Sequence, residues 1–477
     1  MDRVAHGAFG VSVNADTASK RGRTGVPVAV IGGGWAGCAA AWALSSRGIP
    51  VVLHEAASVL GGRARRVERA GLAIDNGQHL LVGAYDATRS ALGAVHGRRV
   101  DPGLHRQRLE IAPFARDAAA IRMRASRLPP PWNIAAGLAL AKGIGLGERV
   151  AALRWLKALR ESNYERPAAE SVDAMLASLP PRVARGVFAP LALAALNTPT
   201  DRASAQVFAH LLGRVAHGPG ASDFLLPMLD LSELFPEPAA RRIEARGGDI
   251  RLRSAAVVAS ASDRGVDIHA GGATWRAAAA IVAVGPHQLA HVFAPDVAAQ
   301  PDVADALDAT AAMRYESTAT VYLGLRERVR LPSRISRLDD APGQWIFDRH
   351  DALERAPEAA AARALKGLVA VVISGAGAHD DLDVKALAGR VQAQLKRLKP
   401  SFPMAVWSQV IVERRATFAC EPGLRRPRTS AIGPRMHLAG DYLDPGLPAT
   451  IEAAVASGEA AGRAIARMLA GGRVPTS

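Results

Sequence analysis

The segment VAVIGGGWAG, residues 28–37, decides the fold. Its first four residues are apolar, which predicts a short strand that is buried on both faces of a parallel sheet. Three glycines follow in the spacing G-x-G-x-x-G. Gly32 allows the tight turn, Gly34 lets the backbone approach a pyrophosphate, and Gly37 lets a helix pack closely on the strand. The alanine-rich residues 36–47 predict that helix.

The element that follows completes a βαβ unit. Residues 50–54, PVVLH, predict a second strand, and Glu55 ends it 21 residues after Gly34. At this position a carboxylate can accept hydrogen bonds from ribose hydroxyls, while the helix N-terminus offers amides and a positive dipole end to phosphates. The alternative is a glycine-rich turn without a ligand. The position of Glu55 at the end of the second strand argues against this alternative.

A second glycine motif, Gly61-Gly62-Arg63-x-Arg65, follows Glu55. Glycines there let the chain pass close to a cofactor, and an arginine can pair with phosphate groups. We therefore assign Gly62 and Arg63 to cofactor binding. A unit that binds only NAD does not need this motif, and the alternative is a turn with solvated arginines.

The C-terminal part of the chain carries a third motif, LAGD at 438–441 followed by GLPATIE at 446–452. The Asp441 carboxylate is placed to contact a ribityl hydroxyl or the phosphate side of the cofactor, or else it caps a turn. A helix that starts near Ala449 would aim its N-terminal amides at the pyrimidine edge of a flavin and stabilise negative charge there. Together with the N-terminal motif, this indicates FAD rather than NAD. The cofactor residues assigned in this part are Gly440, Asp441, Ala449, Thr450 and Ile451.

The order of elements predicts an α/β protein, with a glutathione-reductase-like FAD-binding Rossmann domain and an α+β, partly helical substrate domain. The FAD-binding domain is expected to be discontinuous, and Val257, in a predicted strand over 256–259, is assigned to the cofactor as well. We expect the FAD-binding domain to consist of residues 26–105, 240–300 and 405–470, the substrate domain of 106–239 and 301–404, and a flexible extension of 1–25.

Composition limits the partners. The 59 basic and 44 acidic residues give a net charge of +15, which favours phosphate groups, acidic lipid or nucleic acid, or else reflects solvated helix faces. The basic residues are dispersed and no RNA-binding module is recognisable, so no nucleic-acid partner is expected. The two cysteines, Cys38 and Cys420, cannot form a disulfide framework or a four-ligand zinc site, and no metal is expected.

Four segments together resemble the squalene-associated FAD-dependent desaturase family, a branch of the flavin amine oxidase and phytoene desaturase superfamily. They are GGGWAG, GGRAR, DNGQHLLVGAY at 75–85 and LAGDYLDPGLPATIEAAVASG at 438–458. The DNGQH part is the most specific to the family, whereas 106–235 and 300–400 agree only in order and length. The resemblance implies that reduced FAD converts hydroxysqualene to squalene in bacterial hopanoid synthesis, with loss of the hydroxyl as water. It also implies a long apolar pocket for an isoprenoid.

That reaction needs an acid to protonate the leaving hydroxyl. His79 titrates near neutral pH and is the first candidate; the alternative is that Asp75 and His79 satisfy the backbone or one another. The candidates in this stretch are Asp75, Asn76, Gln78 and His79, with Tyr85 and Asp444 as further possibilities. The competing function is that of a carotenoid- or phytoene-type desaturase, from which only the DNGQH resemblance separates this chain. An amine oxidase is less expected, because no aromatic cage for an amine is apparent.

The apolar segment 129–147 carries one tryptophan and one lysine and is flanked by arginines. It predicts either contact with a membrane interface or a buried hairpin of the substrate domain. Residues 1–25 lack the apolar core of a signal peptide. The uncharged run 26–44 has the length of a membrane span, but its four glycines and one proline fit the nucleotide motif better. The expectation is a cytoplasmic protein, with peripheral contact to the inner membrane left open.

Overall fold

The computed structural model describes residues 25–97, 100–115, 120–355, 363–375 and 383–471. The expected extension over 1–25 lies outside these residues, except for Gly25. The strands are β1 (Val28–Ile31), β2 (Val51–His54), β3 (Arg66–Arg69), β4 (Leu72–Asp75), β5 (Leu81–Val82), β6 (Leu104–Gln107), β7 (Glu110–Ile111), β8 (Met123–Arg124), β9 (Phe224–Pro227), β10 (Asp249–Arg251), β11 (Ala256–Ser262), β12 (Gly265–Ala270), β13 (Ala273–Ala277), β14 (Ala280–Val282), β15 (Tyr315–Leu325), β16 (Ile335–Arg337), β17 (Trp345–Asp348), β18 (Gly367–Ser374), β19 (Trp407–Phe418) and β20 (Met436–Leu438).

The α-helices are α1 (Trp35–Ser45), α2 (Asp86–Val95), α3 (Trp132–Ala139), α4 (Leu146–Glu161), α5 (Val172–Leu176), α6 (Pro181–Val183), α7 (Ala189–Leu196), α8 (Ala205–Val215), α9 (Leu231–Leu234), α10 (Pro236–Glu244), α11 (Pro295–Ala298), α12 (Pro301–Ala311), α13 (His350–Glu354), α14 (Val384–Leu398) and α15 (Ile451–Gly471). A π-helical turn (Ala184–Phe188) precedes α7, and a 3₁₀ helix (Pro286–Val292) precedes α11. Helices α1, α10 and α15 pack on the parallel sheet, α14 packs on the substrate sheet, and α3 to α8 form a helical region between the strands β8 and β9.

A five-stranded parallel sheet forms the core of the nucleotide-binding part, in the order β10-β2-β1-β14-β20. β1 lies at its centre, and all four residues of β1 are buried, as their apolar side chains predict. The strand order reverses between β1 and β14, and in such sheets the ligand binds at the carboxyl ends of the strands at this point. The predicted Rossmann fold is therefore confirmed, and the sheet takes strands from three separate parts of the chain.

Helices α1 and α15 cross at very short distance on one face of this sheet. A Cβ atom on Gly458 would lie 2.1 Å from the Ala36 carbonyl oxygen, and one on Gly462 would lie 2.8 Å from the Ala43 Cβ. Only glycine fits at such an approach. The contact holds the start of α15 beside the glycine turn at the start of α1, so that the first and third motifs meet.

The substrate sheet is antiparallel, in the order β16-β17-β18-β15-β19. Val321 and its neighbours on one face pack with residues of α14, whereas Tyr322 on the other face donates a hydrogen bond to the Asp75 carbonyl oxygen (2.9 Å). The sheet therefore covers the DNGQ segment. β19 pairs with β15 along its length, so the predicted boundary at residue 405 is wrong: residues 407–418 belong to this sheet.

The region 106–239 combines helices with short strands, as the predicted α+β, partly helical substrate domain does. It contains α3 to α9 and the start of α10, β7 and β8 pair with each other, and β9 joins β5 and β6 in a small sheet. Helix α5 begins at Val172, because the Ser171 side chain accepts a hydrogen bond from the Ala174 amide. Within the described part of the chain, no helix has the length and apolar character that crossing a bilayer requires.

Candidate active site

The glycine turn at the carboxyl end of β1 has the shape of a phosphate cradle. Gly32 has φ +104°, and a Cβ atom there would lie 2.5 Å from the Ala283 carbonyl oxygen. A Cβ atom on Gly37 would lie 1.8 Å from the Gly32 carbonyl oxygen, so the fold itself needs both glycines. A Cβ atom on Gly34 would meet nothing closer than the Gly62 Cα, at 3.9 Å. The space in front of Gly34 is open, as the approach of a pyrophosphate requires.

Glu55 lies directly below this turn. One carboxylate oxygen accepts from the Gly33 amide and the other from the Ala57 amide, both at 2.7 Å. Each oxygen keeps a lone pair for a ribose hydroxyl. The Ser254 amide donates to the Glu55 carbonyl oxygen (2.8 Å), which brings the beginning of β11, and with it Val257, alongside the end of β2.

Arg63 and Asp441 join the second and third motifs. The guanidinium donates to the Asp441 carboxylate at 2.7 Å and to the Ala416 carbonyl oxygen at 3.0 Å, and the Asp441 residue is 6% exposed. The arginine that the sequence assigned to phosphate is therefore held by a protein carboxylate. Its role in this structure is to fix Asp441 and the Gly440 turn in front of α15.

The N-terminus of α15 is built by a cap and by a buried carboxylate. The Thr450 hydroxyl accepts from the Ala453 amide (3.2 Å), so the helix begins at Ile451 rather than at Ala449. Glu452, 2% exposed, accepts from the amides of Ala87 and Thr88 at 3.0 and 2.9 Å. Glu452 thereby fixes the first turn of α2 to the first turn of α15. Sequence reasoning missed it, because its partners lie more than 360 positions away.

Tyr85 immediately precedes α2 and is buried. Burial, together with the nearby Glu452 carboxylate, raises the pKa of its phenol, and its hydroxyl is hydrogen-bonded to Thr450. A phenol held in this way stabilises the junction between α2 and α15. We therefore do not assign Tyr85 as the proton donor.

Asp75 lies inside the protein, at 1% exposure. One oxygen accepts from the Leu231 amide at 2.8 Å, and the other lies 3.4 Å from both Arg349 Nη2 and Gln78 Nε2. Burial raises the pKa of this carboxyl to about 6, because desolvation outweighs the attraction of Arg349. Asp75 is enclosed on all these sides, so it orients Gln78 rather than reaching a substrate.

Arg349 is the charge that sequence reasoning did not find. It is 5% exposed, donates to the Pro227 carbonyl oxygen at 2.9 Å and lies 3.9 Å from Asp351 in addition to Asp75. No motif marks this arginine, since its significance comes only from the packing of β17 and α13 beside β4. It neutralises two carboxylates behind the DNGQH segment.

His79 projects towards a small polar cavity. Its Nδ1 lies 2.9 Å from the Gly77 carbonyl oxygen, and because a carbonyl only accepts, Nδ1 carries the proton and Nε2 is left as an acceptor. Burial lowers the pKa of His79, so the ring is neutral at pH 7. The cavity has a volume of about 10 Å³, the space of one water molecule, and Gln78, Arg334 and Arg349 also line it.

A second cavity, of about 660 Å³, opens beside the loop that leads into α15. This volume lies in the range of small-molecule binding sites. Asp444 forms part of its wall, but its carboxylate accepts from the Gly446 amide (2.8 Å) and closes a turn. The wall consists of Gly83, Ala84, Asp86, Arg89, Asn163, Tyr164, His210, Gly213, Arg214, His217, Gly218, Pro219, Ala221, Asp444, Gly446 and Leu447.

Known proteins resemble this chain over nearly its whole length. Hydroxysqualene dehydroxylase of Rhodopseudomonas palustris is 26% identical over 454 residues, covering 94% of this chain and 99% of the relative. The protein of the same name from Zymomonas mobilis is 24% identical over 448 residues, covering 91% and 97%.

Two kinds of solved structure share the fold. A double mutant of putrescine oxidase has a TM-score of 0.67 at 16% identity, and cyclohexylamine oxidase from Brevibacterium oxydans has a TM-score of 0.66 at 16% identity. Each comparison covers 93% of this chain and 99% of the other. The sequence profile of the family described as flavin containing amine oxidoreductase matches residues 35–466. The chain belongs to this flavin containing amine oxidoreductase family and is an FAD-dependent oxidoreductase.

Proposed function

We propose that this chain reduces hydroxysqualene to squalene and releases the hydroxyl group as water, as a step of bacterial squalene and hopanoid biosynthesis. The observation that carries the proposal is the arrangement of Gln78 and His79. Both side chains line a polar, water-sized cavity between the FAD-binding part and the substrate sheet. The relatives that cover more than nine-tenths of the chain carry the name hydroxysqualene dehydroxylase, which supports the same reaction.

When bound, reduced FAD supplies the hydride that replaces the hydroxyl. The open face of Gly34 and the Glu55 carboxylate would hold the cofactor. The N-terminus of α15 provides a positive dipole end, which would stabilise negative charge on the reduced cofactor.

His79 is the residue that we assign to the substrate hydroxyl. In the neutral ring, Nε2 accepts the hydrogen bond of that hydroxyl and orients it; after protonation, Nε2–H donates to the same oxygen and assists its departure as water. The carbinol carbon of hydroxysqualene lies in a polyene, so its ionisation gives a delocalised cation. A ring that is neutral at rest does not repel this cation. We therefore expect a reaction that becomes faster as the pH falls through the pKa of His79, which burial holds below the ordinary 6.5 of histidine.

Gln78 and Asp75 support this group rather than react. Gln78 donates from Nε2 towards the Asp75 carboxylate and the Tyr322 hydroxyl, both at 3.4 Å, and its backbone amide lies 3.4 Å from the Thr320 hydroxyl. These contacts fix the DNGQH segment against the substrate sheet. Asp75 is accordingly a positioning residue.

The test is an anaerobic incubation of the photoreduced protein with hydroxysqualene, squalene or phytoene, followed by product analysis. The proposal requires that hydroxysqualene alone reoxidises the cofactor and that squalene is formed. If phytoene instead bleaches the oxidised protein, the chain is a desaturase. If none of the three reacts in either direction, the substrate is not an isoprenoid of this type.

A further inference from the structure

The surface around α3 carries a concentration of exposed apolar side chains. Of the thirteen large apolar side chains that are exposed in the described residues, five lie between residues 128 and 150. Four of them form what we call the apolar tip, and they are Leu128 (53% exposed), Trp132 (63%), Leu140 (77%) and Leu146 (76%). All seven tryptophans are described, and Trp132 is the exposed one.

The apolar tip is held on a rigid unit. Arg149 of α4 donates to the Ala139 carbonyl oxygen at 3.0 Å, which fixes the first turn of α4 to the last turn of α3. A Cβ atom on Gly137 would lie 2.8 Å from the Arg124 carbonyl oxygen, so α3 rests directly on β8. The tip is therefore a fixed feature of the fold, with its apolar side chains presented outwards.

A basic rim surrounds the apolar tip. Residues 121–160 contain eight basic residues and one acidic residue, Glu148, whose carboxylate accepts from the Gly145 amide at 2.7 Å and so caps α4. We define the rim by four exposed residues. They are Arg122, Arg124, Arg127 and Lys142, and Arg122 and Lys142 are joined by two backbone hydrogen bonds of 3.1 and 2.9 Å.

The same unit packs behind the wall of the 660 Å³ cavity. On its inner side, Asn133 of α3 donates to the Ser222 hydroxyl at 2.9 Å, and Ile134 packs against Ala84 and Ala221, which line the cavity. Asn163 and Tyr164, which follow α4, line it as well. The apolar tip thus lies on the outer side of α3, whereas the inner side of α3 packs against residues that line the cavity.

We propose that the apolar tip and its basic rim dock on an anionic lipid bilayer. An apolar side chain such as Trp132 would enter the boundary between headgroups and acyl chains, and cations at its edge attract acidic headgroups. A second copy of this chain is the less suitable occupant, because two basic rims would repel each other. A water-insoluble isoprenoid is dissolved in such a bilayer, so docking brings the chain to the phase that holds its substrate; this last consequence rests on the proposed function.

The experiment uses the full chain with bound FAD and vesicles of phosphatidylcholine, with or without phosphatidylglycerol. We expect flotation with the anionic vesicles, a blue shift of the Trp132 emission and its quenching by brominated lipid. The variant Trp132→Ser with Leu140→Gln should lower vesicle partitioning by about tenfold or more, since two apolar anchors are lost. It should keep its FAD content and its melting temperature, because both side chains are exposed.

Two matched variants complete the test. Leu252→Gln with Met404→Gln changes exposed apolar residues elsewhere (42% and 62% exposed) and should bind vesicles like the unchanged protein. Arg124→Gln with Lys142→Gln should remove the preference for anionic vesicles. Equal partitioning of the tip variant and the unchanged protein would overturn the proposal, as would self-association through the tip without vesicle binding. Vesicle binding is measured without substrate, so its outcome is separate from that of the reductase test.

Discussion

Two glycines of one motif should respond to alanine in opposite ways. Gly34 has φ −71° and ψ −178°, a conformation that any residue adopts, and a Cβ atom there finds no protein atom within 3.9 Å. In the folded protein, alanine at this cap position costs roughly 0.5–1 kcal/mol, and the lower entropy of the unfolded chain offsets a similar amount. The free energy of unfolding of Gly34→Ala without cofactor should therefore change by less than about 1 kcal/mol.

Gly34→Ala should nevertheless lose its cofactor. The added methyl group occupies the space through which the pyrophosphate approaches the backbone, and each hydrogen bond to a charged group is worth about 1.5–3 kcal/mol. The loss of one or two such bonds weakens FAD binding by about a hundredfold. In contrast, Gly37→Ala puts a methyl group 1.8 Å from the Gly32 carbonyl oxygen and should destabilise the fold itself by about 3 kcal/mol.

The assay combines urea unfolding of the two apoproteins with FAD titration followed by flavin fluorescence. The expected pattern is a stable Gly34→Ala protein that binds FAD poorly and a Gly37→Ala protein that folds poorly. If Gly34→Ala bound FAD as tightly as the unchanged protein, the glycine turn would not be the phosphate site. If the Gly34→Ala protein were as unstable as the Gly37→Ala protein, its loss of FAD would follow from unfolding and would not show that the space at Gly34 is the phosphate site.

Three further predictions concern individual side chains. Glu55→Gln leaves one of the amides of Gly33 and Ala57 without an acceptor, so calorimetry should show a free energy of unfolding that is lower by about 1–3 kcal/mol. Fluorescence titration should show a more than tenfold weaker FAD complex. If the FAD affinity is unchanged, Glu55 only supports the turn. Asp75 has a pKa of about 6 when folded and about 4 when unfolded, so it binds more protons in the folded state between these values. The contribution of Asp75 to the free energy of unfolding should therefore fall by about 3 kcal/mol as the pH rises from about 4 to 6. Urea unfolding should give a free energy of unfolding that falls by this amount between about pH 4 and 6 in the unchanged protein, but not in Asp75→Asn. If the free energies of the two proteins changed with pH in parallel, the Asp75 charge would not be buried. His79→Gln should slow anaerobic reoxidation of the reduced protein by hydroxysqualene about a hundredfold. It should also abolish the acceleration that appears as the pH falls through the lowered pKa of His79, whereas an unaltered pH profile would mean that His79 is structural.

The sequence predicted those parts of the fold that depend on local patterns. The strand, turn and helix over 28–47 follow from an apolar run, spaced glycines and alanine-rich residues. The position of β19 was not predictable in this way, since its partner β15 lies about ninety residues earlier in the chain. An edge strand with alternating polar residues is recognised only by the strand beside it.

The site shows the same division between local and distant information. Glu55 was predictable, because its distance from the glycine turn is set by one helix and one strand. Glu452, Arg349 and the partner of Arg63 were not, since each acquires its role from an element that is remote in sequence. The exposure of the segment around Trp132 likewise depends on which face of α3 meets the cavity wall.

In the proposed reaction, this chain replaces a hydroxyl group of an isoprenoid by a hydride. The most direct measurement is a single turnover of the photoreduced protein with hydroxysqualene in D₂O without oxygen, with mass analysis of the product. Because the transferable hydrogen of a reduced flavin exchanges with solvent, the account predicts squalene that carries one deuterium at the former carbinol carbon. Recovery of unchanged hydroxysqualene, or a dehydrated polyene without deuterium, would contradict it.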